Sequence, residues 1–377
     1  MREIEADELE ALAIGAGVLG TGGGNHPHLE LMCAQEAYAR GQRVRMLDAA
    51  ELDDDARVAV LAFMGAPLVT KERLPEPVSA CRAVRLMEAH VGRRFDAVMS
   101  VEIGGENAFL PLLVGMELDL PVVDADVMGR AFPEVQMTSF AIRGLPMAPF
   151  AIADIRDNAL IIAHAENAGW TERLGRKAVV ELGSIAGTCG APRTGAEVKA
   201  HAILGSTSRA IRLGRAVERA RRAHADPVEA ILAAEHGALL LRGKVEDVSR
   251  RMAEGFVRGQ ARLGGTGADA GRTLLIDFQN EFSAAREATG TPGPAGEDGA
   301  VLASVPDLIT VLDAVTGEAI GAEVIRYGQR VAVIALPADP IMTSPAGLAA
   351  VGPRAFGFDF NYTPFARGTR AGGEARP

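Results

Sequence analysis

The spacing of apolar positions divides the chain into two rhythms. In the first half, short runs that are apolar almost throughout alternate with segments that are apolar at helical spacing. ARVAVLAFM (56–64), FDAVMSVEI (95–103) and PVVDAD (121–126) are such runs, and RVRML (43–47) is a shorter one. A strand apolar on both sides is covered on both sides, as parallel strands are. PEPVSACRAVRLMEAHV (75–91) and AFLPLLVGMEL (108–118) predict covering helices; Pro111 is tolerable only in a first turn. Two earlier helices are predicted, over 7–20, entered through Asp7 and Glu10, and over 28–40. Consecutive parallel strands end on one edge, and open α/β sheets bind ligands there.

Beyond about residue 150 the pattern changes. AIADIRDNALIIAHAE (151–166) predicts a hairpin turning at Arg156-Asp157-Asn158, and two helices follow near 196–224 and 227–236. KVEDVSRRM, GFVRGQARLGG, RTLLIDFQNEFSAARE, PDLITVLDAVTGEAI and RVAVIALPA then predict an antiparallel meander. Helices and strands segregate here, which is the α+β pattern. The expected organisation is an N-terminal α/β domain with a parallel sheet over 1–168, a C-terminal α+β domain over 169–365, and a flexible tail over 366–377. TPGPAGEDG (291–299) reads as a flexible loop.

Composition narrows the function. The chain has 377 residues, 48% of them hydrophobic, ample for a large core and more consistent with two domains than one. A net charge of -10 and an aromatic content of 5% argue against nucleic acid, which needs cationic surface and stacking platforms. Three widely spaced cysteines, Cys33, Cys81 and Cys189, give neither a disulfide framework nor a zinc pattern. The acidic N-terminus has no basic n-region, and no apolar run reaches the roughly 18 residues of a membrane span, so a cytoplasmic location is expected.

Candidate chemistry collects at the strand ends. Gly15-Ala-Gly17-Val-Leu-Gly20 matches GxGxxG but follows a helical pattern rather than a strand, so close helix packing explains it better than a nucleotide, and no nucleotide is expected. Thr21-Gly22-Gly23-Gly24 exceeds what a helix break requires and suits backbone contact with a ligand. Glu102-Ile-Gly104-Gly105-Glu106-Asn107 runs from a strand end into a helix, where free N–H groups suit a carboxylate or oxyanion; Asn107 or Glu106 could equally be only a cap.

Asp124-Ala-Asp126-Val-Met-Gly129-Arg130-Ala-Phe132-Pro133-Glu134 is the most distinctive segment. Asp124 and Asp126 share one side of an extended backbone. With Glu102 and Glu134 they offer a hard-cation site or a general base, and Arg130 offers either a substrate clamp or an internal ion pair. His26 and His28 flank the glycine loop as a candidate ligand or proton-transfer pair. Cys189 is a weaker candidate nucleophile with no histidine near in sequence. Arg209, Arg212, Arg215, Arg219 and Arg222 form one helical stripe, read as a solvated or subunit-facing surface, and a homo-oligomer is expected.

GAGVLGTGGGNHP, GAP at 65–67, VEIGGEN, LPVVDADVMGRAFPEVQM, VIRYGQRVAVIALPA and GPRAFGFDFNYTP together resemble the S-methyl-thiohydantoin desulfurase family, across roughly residues 8–365. That family is associated with hydantoinase/oxoprolinase proteins. The resemblance implies a Rossmann-like N-terminal domain, a separate C-terminal domain, and hydrolysis of a cyclic amide or thiohydantoin at its sulfur-bearing carbon. On that reading Asp124 or Asp126 is the base or metal ligand, and Glu102 and Glu134 are supporting acids. Thr21, Gly22, Gly23, Gly24, Gly104, Gly105, Asn107 and Arg130 hold substrate. The family's glycine loop continues with a glycine and an aspartate where this chain has Asn25 and His26. The expected cofactor is a divalent metal ion, zinc or manganese/magnesium; His26 in that place would bias a site shared with Asp124 and Asp126 toward zinc or a similar ion rather than magnesium, or would equally mark altered substrate choice or lost activity. The rival reading is a non-catalytic partner subunit of a hydantoinase/oxoprolinase-type enzyme.

Overall fold

The computed structural model describes residues 1–24, 27–66, 69, 77–253, 256–288 and 299–366. Asn25, His26, Pro67, most of the 291–299 segment and the tail from 367 lie outside the described residues.

The first sheet is built around four parallel strands. β1 (Arg2–Glu3) borders β2 (Arg45–Leu47), which is followed in space by β5 (Val122–Val123), β4 (Ala97–Ser100) and β3 (Arg57–Gly65). The β2–β5, β5–β4 and β4–β3 pairs are parallel. Their buried Val, Ala and Met side chains belong to cores on both faces, which is why the strands are apolar throughout. The sheet is mixed rather than purely parallel. β9 (Ile185–Cys189) pairs antiparallel with β3, and the hairpin β7 (Phe150–Ala153)–β8 (Ala159–Ile162) continues from β9. Chain beyond residue 168 therefore completes the first sheet; β10 (Arg193–Thr194) also pairs with β3. PVVDAD does not form one strand: after β5, β6 (Ala125–Asp126) pairs with β11 (Ile203–Leu204) in a separate two-stranded ladder.

The second sheet has seven antiparallel strands. β12 (Ala238–Ala253), β13 (Phe256–Gly265), β14 (Thr273–Gln279), β15 (Glu281–Glu287) and β16 (Val301–Ser304) form a meander. β17 (Leu308–Asp313) and β18 (Arg330–Leu336) add to its other edge, β18 beside β12. RTLLIDFQNEFSAARE is two strands, split where Asn280 takes φ 60°. Its backbone and side chain both bond Val257, at 2.8 and 2.9 Å, so the turn is clamped to the neighbouring strand.

The helix Glu8–Leu19 joins the halves. The helix expected over 196–224 is two, Gly195–His201 and Ser206–Arg222. A Cβ on Gly15 would lie 1.9 Å from the Ala210 carbonyl oxygen, and one on Gly214 would lie 1.8 Å from that of Ala11. Gly15 of the GxGxxG segment and Gly214 thus serve close packing of Glu8–Leu19 on Ser206–Arg222, while a Cβ on Gly20 would lie 2.8 Å from Gly23 O in the glycine loop. On its other side Thr310 of β17 donates to the Val18 carbonyl at 2.9 Å. Asp7 makes no side-chain cap; it pairs with Arg215 of the stripe instead. Among the described residues no helix is long and apolar enough to cross a membrane.

Candidate functional site

The C-terminal ends of β3 and β4 open into a cleft of about 990 Å³, counting its mouth. β3 and β9 supply a wall that includes Val60, Ala62, Phe63 and Thr188, and Phe132, Phe140 and Phe150 add aromatic surface. Five glutamates, Glu102, Glu106, Glu134, Glu172 and Glu281, line it with Asn107, Arg176 and Arg193. Of the residues singled out from the sequence, Gly24, Glu102, Asn107 and Glu134 lie on its surface. Glu281, Glu172, Arg176 and Arg193 were not legible as site residues. They stand alone within strand or helix patterns: the pairing of β15 with β14 brings Glu281 here, that of β10 with β3 brings Arg193, and the bonds of helix Ala168–Glu181 to Pro133 and Val135 bring Glu172 and Arg176.

Glu102 follows β4 and is buried. Asn107 donates to its Oε1 at 2.7 Å and the Phe132 amide to its Oε2 at 3.1 Å. Asn107 is itself held by the Phe63 amide, which donates to its side-chain oxygen at 2.7 Å. Burial pushes the Glu102 carboxyl up to about 7, helped by the charge of Asp126 and opposed by these donors and Arg130. Glu281 enters from the second sheet, directly after the Asn280 turn. Burial and the charge of Glu102 raise its carboxyl to about 8 against Arg130 and Arg176. Glu134 is also raised, by burial and by Glu172. Glu172 is committed elsewhere: it pairs with Arg176 at 2.5 Å and accepts from the Val135 amide at 3.0 Å.

The segment 124–134 does different work from that expected of it. Asp126 is fully buried, and its Oδ2 accepts from the amides of Ile103, Met128 and Gly129 at 3.0, 3.2 and 2.7 Å. It ties the loop after β4 to the loop after β6 and does not line the cleft. Asp124 accepts from the Ser208 amide at 3.1 Å and hydroxyl at 2.5 Å, at the start of helix Ser206–Arg222. Three amides are aimed at Asp126 Oδ2, and a hydroxyl and an amide at Asp124, while Asp126 Oδ1 has no hydrogen-bond partner among the described residues. Burial pushes the Asp126 carboxyl up to about 7 against these donors, and neither aspartate lines the cleft. Among the described residues no cluster of three or more His, Cys, Asp or Glu side chains could hold a metal. His26 lies outside the described residues, and His28 is exposed at the start of helix His28–Ala39.

Arg130 is not placed as a substrate clamp. It is 1% exposed, and its five N–H groups find five acceptors. These are Ala131 O (3.0 Å), Asp307 O (2.7 Å), Pro306 O (3.5 Å), Thr21 Oγ1 (2.7 Å) and Phe282 O (3.1 Å). The guanidinium also stacks 4.6 Å from the Phe132 ring centroid. It fastens the first half to β15 and to the turn before β17.

The glycine loop fills the same junction. The amide of Phe282 donates to Thr21 O, that of Ala322 to Gly22 O, both at 2.8 Å, and that of Glu106 to Gly24 O at 2.7 Å. Gly22 (φ 89°) abuts the Phe282 ring, and a Cβ on Gly105 (φ 64°) would lie 2.0 Å from Gly24 O. On Gly104 a Cβ would lie 2.8 Å from the Ala131 amide. Most of these glycines permit backbone-to-backbone contact between loops, and only Gly24 faces the cleft. Cys189 is buried on β9 with its thiol pushed up by burial, while its neighbours Thr188 and Gly190 face the cleft, so it offers no nucleophile there. Arg193 ends the cleft as a buried guanidinium whose Nε has no acceptor among the described residues.

The profile of the S-Me-THD-like N-terminal domain matches residues 7–164, and that of the C-terminal domain matches 166–365. No curated protein matches the chain. Among solved structures, the chain is similar to an X-ray crystal structure of a protein from Chromobacterium violaceum, with TM-score 0.77 and 24% identity, over 97% of this chain and 100% of that one. At that identity the likeness shows the fold alone, a mixed α/β half and an antiparallel half. The two domain profiles together span the chain, which therefore belongs to the S-Me-THD-like family, the S-methyl-thiohydantoin desulfurase family, whose name implies that desulfurase activity.

Proposed function

We propose that the cleft hydrolyses the carbon–sulfur bond of an S-methyl-thiohydantoin-like ring, using Glu102 to activate water. The observation that carries this reading is the Glu102 carboxyl itself. It is buried in the cleft and held on both oxygens, and burial pushes it up to about 7, the range a general base at neutral pH requires. The parallel strands act as a Rossmann-like frame in this reading, since they present the Glu102–Asn107 loop at their C-terminal edge. A flat ring packs against Phe63, Phe132 and Phe140, and Arg193 supplies a buried donor for a ring carbonyl. The carbon between two ring nitrogens is electrophilic, and sulfur leaves readily because thiols are far more acidic than amines.

The test is methanethiol release from an S-methyl-thiohydantoin by the purified chain. Turnover is expected to rise with pH through about 7 as Glu102 ionises. Glu102→Gln is expected to lower kcat by roughly 10³-fold, within the usual range for a general base. A chain that is inert alone and active once a hydantoinase/oxoprolinase protein is added would replace this reading with the partner-subunit one.

A further inference from the structure

The proposed hydrolysis needs a proton as well as a base. As water attacks, the C=N bond opens, and its nitrogen must be protonated. Glu102 cannot supply that proton while accepting one from water. Arg130 and Arg176 are both bonded to protein groups, and the Cys189 thiol is buried outside the cleft lining.

Glu281 meets the need by position. It is 5% exposed, lines the cleft, and its Oε2 has no hydrogen-bond partner among the described residues. Its aim is set on two sides. Behind it, the clamped Asn280 turn fixes where the side chain leaves the sheet. Beside it, Gly23 is bare: a Cβ there would lie 2.1 Å from Glu281 Oε1 and 2.5 Å from its Cγ. The second glycine of the loop is thus the space that Glu281 occupies, which explains why the break in helix pattern is longer than a turn requires. The charged groups facing Glu281 are Glu102, Arg130 and Arg176. Two carboxyls in one buried cleft, facing guanidinium groups already bonded to protein atoms, hold one proton between them more readily than none.

We propose that Glu281, delivered by the second sheet, is the proton donor of the reaction and the partner of Glu102 in a two-carboxyl couple. This inference rests on the hydrolytic reading above. In the first step the water oxygen bonds to the sulfur-bearing carbon, Glu102 takes a proton from the water, the C=N electron pair moves to nitrogen, and Glu281 protonates that nitrogen. In the second step the hydroxyl of the tetrahedral carbon returns its proton to Glu281 as the carbonyl forms. The carbon–sulfur bond breaks, and the departing sulfur takes the proton held by Glu102. The products are the hydantoin and methanethiol, and both carboxyls regain their starting states.

The experiment is the pH profile of kcat/KM for methanethiol release by wild type, Glu281→Gln and Gly23→Ala. Wild type is expected to give a bell, rising through about 7 and falling through about 8, the two limbs belonging to the couple. Glu281→Gln keeps the size and burial of the side chain and is expected to lose roughly 10²-fold in rate and the falling limb. Gly23→Ala removes neither carboxyl but displaces that of Glu281; it is expected to lose about tenfold and carries the test if Glu281→Gln does not fold. An infrared carboxylic C=O band in wild type at pH 7 that loses one component in Glu281→Gln reads the same proton without turnover. Turnover in Glu281→Gln with the wild-type rate and falling limb would overturn the inference and leave the Glu102 reading standing. No methanethiol release by wild type would overturn the hydrolytic reading itself.

Discussion

Two acidic regions of this molecule look alike in composition and differ in what their side chains face. The segment 124–134 concentrates Asp124, Asp126 and Arg130 within seven residues, yet each is held by internal hydrogen bonds and none lines the cleft. Asp126 receives three amides, Asp124 a serine, and Arg130 gives all its donors to backbone and Thr21. The cleft draws Glu102, Glu134 and Glu281 from positions up to 179 residues apart, and each of their carboxyls is raised above the ordinary range. A carboxyl held by its own loop stabilises the fold, even where burial raises it, as at Asp126. A raised carboxyl on the cleft surface is placed to exchange a proton with a bound molecule. The lesson is that density of chemistry along the chain marks the junction, while its density in space marks the cleft.

Substitutions can break that contrast in graded ways. Arg130→Met should have the largest effect on the folded state. Removing a buried cation from between Glu281, Asp307 and Glu102, and five hydrogen bonds from the junction, is expected to cost about 3–5 kcal/mol, read as a fall in the urea midpoint. An unchanged midpoint would mean the junction does not depend on this pin.

Asp126→Ala is next. Three amides lose their acceptor at once, and a loss of about 2–4 kcal/mol is expected, whereas Glu102→Gln should leave the urea midpoint nearly unchanged and lower kcat by roughly 10³-fold. The pair of variants is the sharpest form of the comparison. If Asp126→Ala kept its midpoint and lost only activity, Asp126 would belong with the cleft after all.

The smallest effect is on pH dependence. Glu102 and Glu281 have folded values near 7 and 8, above the ordinary 4.5. A carboxyl raised on folding contributes stability that is fully present below its unfolded value and is lost as pH rises through its folded value. The melting temperature should therefore fall between pH 5 and pH 9, and Glu281→Gln should remove part of that fall, about 1–2 kcal/mol. An identical pH profile in the variant would show that Glu281 does not carry the proton assigned to it.

Much of the fold was legible in the residues. The near-continuous apolar runs 56–64 and 95–103 could only be covered strands, and β3 and β4 lie there in parallel register. The alternating runs after 238 became the antiparallel sheet. What was missed followed from pairing at a distance. Nothing in IAGTC (185–189) says that it will close against β3 rather than join the later strands, and nothing in PVVDAD says that its two halves will bond to different partners.

The amino-acid order by itself determined local things: which segments bury both faces, where the chain must bend, and that the loop after β4 carries Glu102 and Asn107 together. Periodicity and backbone freedom act between near neighbours, so one dimension suffices to read them. The tertiary structure alone decided which carboxyls stay matched and which stay reactive. Burial and charge coupling depend on distance through space, and Glu281 reaches Glu102 only because a turn in one sheet and a bare glycine in a loop leave room for it.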